Sequence, residues 1–438
     1  MSRLAALRND ASSESGRNAL WGLAAEGGQL VVSLGIFLGL ALVLDTSQFG
    51  LYSATVAMAM IMANFAHLGG HVLMIRRVAR GMPLEPEWQR AVTTVVLGTL
   101  IGTVILLGFR TLFVPQVSAR TFVLITLSQT LCFWLAESAT QASQAMRRLE
   151  VGAKSKLTFA GLRVISLIGF TIMGEGTLDS WAWWAIGGAA LGSLGSLSII
   201  QRSFGVKTRF NPPTIADIRM GLPFVLSATS DGVLDSIDRP LLTRYRFVEA
   251  AGFYSIAYRI ATISVLPIMA MARATDASFF EKGARNPAEA YQFAKRLTIR
   301  SASYGLVVGI IIFVLAPFLP EIISTVFWFT DDSEKFEDVA MVLQFVALLP
   351  LLRGLQMFPA NALTGSDRHN TRLIIMVGAM LLNLLLNLYF IPRYSWRGAV
   401  GTTLGAETAF AIALWIAASR LRNAKPAPSD ADLVSTVN

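Results

Sequence analysis

Gly50-Leu51-Tyr52-Ser53 and, 202 positions later, Gly252-Phe253-Tyr254-Ser255 each open a long apolar segment. A short polar connection precedes each copy, and roughly twenty mostly apolar residues follow it, enough to span a bilayer. The first run ends at Arg76 and Arg77, the second near Arg273. Several hydrophobic segments separate the two copies, so the chain reads as two similar halves. Weak internal symmetry of this kind is the sequence mark of a duplicated helix bundle in membrane transporters.

Composition supports the same class. Hydrophobic residues make up 54% of the 438 and charged residues 15%, against roughly 25% charged in a soluble domain. The apolar runs are long enough for spanning helices, which satisfy their own backbone hydrogen bonds in lipid. The reading is an all-α polytopic membrane protein with about 12 transmembrane helices in two pseudo-symmetric six-helix bundles. Cys132 is the only cysteine, so no intramolecular disulfide or cysteine-based zinc site can form. There are three histidines. His67 and His71 are spaced i, i+4 with no visible further ligand. No cofactor is expected.

The predicted spans are 19–44, 48–74, 91–113, 121–146, 157–173, 180–200, 220–237, 250–272, 302–319, 339–363, 373–391 and 398–418. They divide the chain into a cytoplasmic segment (1–18), an N-terminal bundle (19–202), a cytoplasmic linker (203–219), a C-terminal bundle (220–420) and a disordered cytoplasmic tail (421–438). The polar start, with Asp10 and Glu14 among its arginines, makes a poor signal peptide, so the first span is expected to be retained. Lys and Arg number 26 in the termini and even-numbered connections, and 8 in the odd-numbered ones when Arg110, at the end of the third span, is counted with them. The positive-inside rule then puts both termini in the cytoplasm. The net charge of +9 follows from facing anionic headgroups and needs no nucleic acid. Trp181, Trp183, Trp184, Trp328 and Trp396 fall at outer span ends, as an aromatic belt would.

No G-x-x-x-x-G-K-[ST] or H-E-x-x-H occurs, and the connections are too short for an enzyme domain. The chain is therefore not expected to be an enzyme. The connection from Arg273 to Arg300 has an amphipathic pattern. The one from Pro320 to Asp338 is acidic, with Asp331, Asp332, Glu334 and Glu337.

Ionisable groups at membrane depth are costly and face a partner or a cavity. Asp231 and Arg259 fall at similar depth on consecutive spans, as do Glu137 and Arg163; for each pair, structural ion pairing and a functional role both stand open. Asp231, Asp235 and Asp238 recur on one helix face. Glu26, Arg353 and Glu407 have no assignable neighbour, and Arg353 follows Pro350, where a kink is expected. The functional reading makes Arg163, Arg259 and Arg353, with Gln141 on the polar stripe Glu137-Thr140-Gln141-Gln144, the candidate contacts for an anionic substrate. Glu26, Asp231, Asp235 and Glu407 are the candidates for ion coupling.

The second half carries a sharper signature. Asn383, Asn387, Ile391, Pro392, Gly398, Ala399, Thr402 and Glu407 form a pattern that resembles the polysaccharide (O-antigen type) flippases of the multidrug/oligosaccharidyl-lipid/polysaccharide exporter superfamily. The stretch Ser236 to Ala261, with Asp238-Arg239, looks like that family's link between its seventh and eighth helices. FGLYS, IRRVARG and QAMRRLEV agree more loosely in the first half. The resemblance implies a V-shaped pair of six-helix bundles around a cationic cavity. It also implies an undecaprenyl-diphosphate-linked oligosaccharide moved outward by alternating access. Expected partners are that lipid-linked oligosaccharide, membrane lipids, and a polysaccharide polymerase or initiating glycosyltransferase. Asn383, Asn387 and Gly398 are expected to serve packing and helix ends. The alternative is a cation-coupled multidrug antiporter of the same superfamily, which favours an acidic cavity.

Overall fold

The computed structural model describes residues 14–326 and 333–423. The tail beyond 423, the first thirteen residues, and Trp328, Asp331 and Asp332 of the acidic connection lie outside the described residues. The described residues form eighteen α-helices. Joined across their short breaks, they give ten helical spans long and apolar enough to cross a membrane, or eleven if one bent pair counts as a single span.

The chain divides by its contacts into two compact units, residues 1–232 and 233–438. In unit one, α1 is Glu14–Val43, α2 Thr46–Ala66, α3 Gly70–Val78 and α4 Leu84–Phe113. Then α5 (Ala119–Leu127) passes through a π-helical turn, Ser128–Cys132, into α6 (Phe133–Ala145). After these come α7 (Leu149–Met173), α8 (Leu178–Phe204) and α9 (Ile215–Ser236).

Helix α9 corresponds to the expected span 220–237. It carries Asp217, Arg219, Asp231 and Asp235 within 22 residues and is not among the ten apolar helices. Its residues up to Gly232 belong to unit one, and three ties explain this. Asp217 pairs with Arg77. Gly221 lies so close to Leu68 and Gly69 that a Cβ on it would overlap the Leu68 carbonyl. Asn64 Nδ2 donates to the Ala228 carbonyl at 3.2 Å. Gly69 is required twice over: its φ is +69°, where side chains are strained, and Gly221 fills the space a Cβ would take. The 203–219 connection therefore lies inside unit one.

In unit two, α10 is Asp238–Arg244, and the expected span 250–272 is a pair, α11 (Val248–Ile263) and α12 (Leu266–Arg285), bent by 44°. The remaining helices are α13 (Pro287–Leu315), α14 (Leu319–Val326), α15 (Ser333–Val346), α16 (Leu349–Gly365), α17 (His369–Tyr394) and α18 (Trp396–Ser419). The kink expected near Pro350 is a break between α15 and α16, with Pro350 in the first turn of α16, where its missing N–H has no cost.

Both copies of the repeated motif are buried helix starts. Tyr52 packs on Phe49, ring centroids 6.0 Å apart. Tyr254 donates its hydroxyl to buried Asp238 at 2.6 Å. The signature residues of the second half complete that knot. Asp238 also accepts from Asn387 Nδ2 (2.6 Å) and Thr403 (2.8 Å). Asn387 donates to Asn383 (3.0 Å) and accepts from Thr402. Asp238 thus has its oxygens satisfied by three hydrogen-bond donors. Gly398 allows the tight turn from α17 into α18, since a Cβ there would lie 2.5 Å from the Phe390 carbonyl.

Two expectations change. Trp181 is not an interfacial belt residue: it is buried against Phe170 at 5.3 Å, whereas Trp183 is exposed beside Arg120. The fifth span starts at Leu149 instead of 157, because Arg147 takes a positive φ and turns the chain before, not after, Lys154 and Lys156.

Close backbone contacts make a direct test. Gly283 on α12 and Gly365 on α16 approach each other's backbones too closely for a Cβ, while Gly378 on α17 has open space. Gly365→Val is expected to cost about 1–3 kcal/mol or more by overpacking, and Gly378→Ala to be neutral. Thermal melting of the two purified variants in detergent reads the difference.

Candidate functional site

Lys156 on α7 is the centre of unit one's charged cluster. Its side chain is 7% exposed, and its ammonium lies 2.6 Å from Glu26 Oε1 on α1 and 3.6 Å from Glu137 Oε2 on α6. Gln141, one turn on from Glu137, donates its amide to Glu137 Oε1 at 2.9 Å. Three sequence-derived residues, Glu26, Glu137 and Gln141, thus converge on a lysine that span prediction had left in a connection. The signal was present: Lys156 stands seven residues before Arg163, two turns along the same helix face.

Glu137 takes Lys156, not Arg163, as its ion partner. Arg163 sits over the Phe159 ring at 5.5 Å, and among the described residues no carboxylate lies within 4 Å of it. Guanidinium over an aromatic face is a favourable but partial compensation.

Unit two repeats the arrangement with other residues. Arg353 on α16 pairs with Asp235 on α9 and with Glu407 Oε1 on α18 at 2.6 Å. Gln356, one turn on, donates its amide to Glu407 Oε2 (2.6 Å) and to the Glu407 carbonyl (2.8 Å). Tyr258 donates to Asp235 Oδ1 at 3.3 Å. Arg353 and Glu407, which had no assignable neighbour in sequence, are each other's partners.

The two clusters share a design. In each, one cation lies between two carboxylates, and an amide holds the inner one. The inner carboxylates are shielded, Glu407 at 0% and Glu137 at 16% exposure. The outer ones are reachable, Glu26 at 56% and Asp235 at 39%. The outer carboxylate comes in each case from the first long helix of its half. Each triad carries a formal net charge of −1. Of the other two candidates, Asp231 is exposed on α9 and Arg259 is half-buried on α11.

His67 and His71 do not converge on further ligands. They stack with Trp134, His67 at 4.0 Å and His71 at 5.3 Å, and His67 Nδ1 accepts the Gly69 N–H. Among the described residues there is no group of three or more His, Cys, Asp or Glu able to hold a metal ion.

A third charged group, Arg77, Glu87, Arg90 and Asp217, surrounds a space of about 10 Å³, room for one water at most. It ties helices together. Asp217 lies ahead of the membrane segment. Burial pushes its carboxyl up, but hydrogen bonds from Thr214 and the Arg77 guanidinium outweigh this and hold it below its ordinary value of 3.8. A depressed carboxyl stabilises the fold above the unfolded-state value and loses that contribution as pH falls through the folded-state one. Asp217→Asn should therefore flatten the acid limb of a stability-against-pH curve below about pH 4 and leave the slope near neutrality unchanged.

The clusters give a second test. Lys156→Met strands the partly buried Glu137 and should cost up to about 3 kcal/mol. Glu26→Gln removes an exposed partner and should cost at most about 1 kcal/mol. Melting temperatures of both variants separate the two roles.

Comparison with known proteins follows this geometry. Residues 15–275 match the family model described as polysaccharide biosynthesis protein, and residues 241–389 match MatE. Among curated proteins, none matches the chain in sequence. Among solved structures, an inward-facing multidrug resistance MATE family transporter of the MOP superfamily aligns with TM-score 0.71 at 16% identity, covering 91% of this chain and 96% of that one. Lipid II flippase MurJ in an inward closed conformation aligns with TM-score 0.67 at 13% identity, covering 92% and 87%. A MOP superfamily transporter from Pyrococcus furiosus, described as having a binding pocket of reverse polarity, aligns with TM-score 0.61 at 15% identity, covering 93% and 96%.

Proposed function

Because the chain belongs to the polysaccharide biosynthesis protein family and has the fold of the MOP superfamily transporters, we propose that it flips a lipid-linked oligosaccharide of the undecaprenyl-diphosphate class. The movement would run from the cytoplasmic to the outer leaflet of a bacterial inner membrane, by alternating access. The observation that carries this reading is the pair of cation–carboxylate clusters, each with one reachable acidic arm.

A diphosphate needs cations, and at membrane depth a standing uncompensated cation is costly. Lys156 and Arg353 meet both demands by resting against Glu26 and Asp235. Protonation of that outer carboxylate, or its displacement by an incoming phosphate oxygen, exposes the cation for a charge-assisted hydrogen bond. Proton uptake and anion binding are then coupled at the same atoms. Arg163, on the face of Lys156, adds a cation that no nearby carboxylate must vacate. Arg259 remains a candidate contact on the same chemical ground.

The second reading is a cation-coupled multidrug antiporter. The net charge of −1 on each triad favours it, since an organic cation would find an acidic arm already in place.

Reconstitution in liposomes with a fluorescent lipid-diphosphate oligosaccharide, read by accessibility to an external glycosidase, tests the two. Arg163→Gln is expected to slow the protein-dependent movement about 10–100-fold, the worth of one hydrogen bond to a charged group, with normal protein abundance. Asp235→Asn and Glu26→Gln are expected to change its pH dependence. Proton-driven efflux of small organic cations from the same vesicles, with the lipid left unmoved, would transfer the assignment to the antiporter.

A further inference from the structure

Within unit two, α13 meets α15 and α16 along a concave strip that opens on the lipid-facing side. Gly305 and Gly309 form its floor: a Cβ on either would overlap the carbonyl of Pro350 or Ala347, so the helix backbones touch there. Leu306, Ile310 and Phe313 rise as one wall, and Phe345, Leu348 and Leu351 as the other. Five of these six side chains are about half exposed, and the groove between them has a volume of about 230 Å³. That is below the ~300–1,000 Å³ of ordinary small-molecule pockets. Gly305 to Phe313 spans about 12 Å at the helical rise, a large part of one leaflet's share of a ~30 Å hydrocarbon core. The shape fits a single acyl chain.

What lies at its end selects the head. Gln344 borders the groove and turns its amide to the Phe313 carbonyl at 3.4 Å. It also borders a second, wider pocket of about 570 Å³ lined by Pro317, Pro320, Glu321, Glu337, Ala340 and Met341. Glu337 stands seven residues from Gln344 on the chain, about 10 Å along the helix axis. Glu321 and Glu337 line that pocket and Asp338 follows, so its rim is acidic.

We infer that this groove is a binding site for a phospholipid whose head group carries a primary ammonium, an aminophospholipid such as phosphatidylethanolamine. One acyl chain lies along the Gly305–Gly309 floor, and the ammonium meets the acidic rim at Glu321 and Glu337. The glycines make the depression, the apolar walls hold the chain, and the rim repels a purely anionic head. The site lies on the outer wall of unit two, and its occupant is a resident lipid, independent of the transported substrate.

Native mass spectrometry of the full-length protein, released from detergent with phosphatidylethanolamine or phosphatidylglycerol of matched chains, tests this. Wild type is expected to retain the ethanolamine lipid about tenfold better, on the scale of one to two charge contacts near a membrane surface. Glu321→Gln with Glu337→Gln, both at exposed positions, should erase the preference and keep lipid bound. Leu348→Trp, filling the groove, should lower retention of both lipids. Equal retention of the two lipids by wild type, preference for the anionic lipid, or retention unaffected by Leu348→Trp in a protein that still elutes as a single folded species would each overturn the inference.

Discussion

Placing a charge where water is scarce is the constraint on which the rest of this structure depends. An isolated ammonium or guanidinium at membrane depth is costly enough that it must find a partner or a wet cavity. Lys156 and Arg353 solve the problem the same way in the two units, with two carboxylates and a glutamine amide apiece. The inner carboxylate is the more shielded of the two and the outer one the more exposed. In the proposed function, this asymmetry is what lets the cation exchange partners.

The same constraint shapes the neutral parts. Asp238 is fully buried, and Tyr254, Asn387 and Thr403 supply it with three donors. The repeated motif and the second-half signature meet in this knot, which fixes α10, α11, α17 and α18 together. Where polar groups are not at stake, glycine lets backbones approach directly, as between α12 and α16 or at the turn into α18. Without a hydrophobic driving force between helices in lipid, close packing of this kind supplies the association energy. One by-product is the depression over Gly305 and Gly309, which a lipid chain can fill.

The pairings that sequence reasoning proposed show where one-dimensional depth estimates fail. Glu137 and Arg163 fall at similar depth on consecutive spans, but Glu137 pairs with Lys156, two turns before Arg163 on the same face of α7. Lys156 itself was hidden because the fifth span was started eight residues late. Helix α9 reads as a weak span because its charges serve two different neighbourhoods. Asp217 ties its start to α3, and Asp235 serves Arg353 in unit two.

Sequence by itself determined the class, the helix inventory and the chemistry on offer. Apolar runs of spanning length, the recurrence of Gly-x-Tyr-Ser, and the rarity of in-span charges are local properties, and locality is what a sequence displays. It also flagged Glu26, Gln141, Asp235, Arg353 and Glu407 as residues needing an explanation, because an ionisable group in an apolar run is expensive wherever it points. Only the tertiary structure decided who answers whom. The Arg353–Glu407 pair spans 54 positions and the Lys156–Glu26 pair 130. Such partners are chosen by which helix faces meet, at distances of a few ångströms that no spacing rule along the chain encodes.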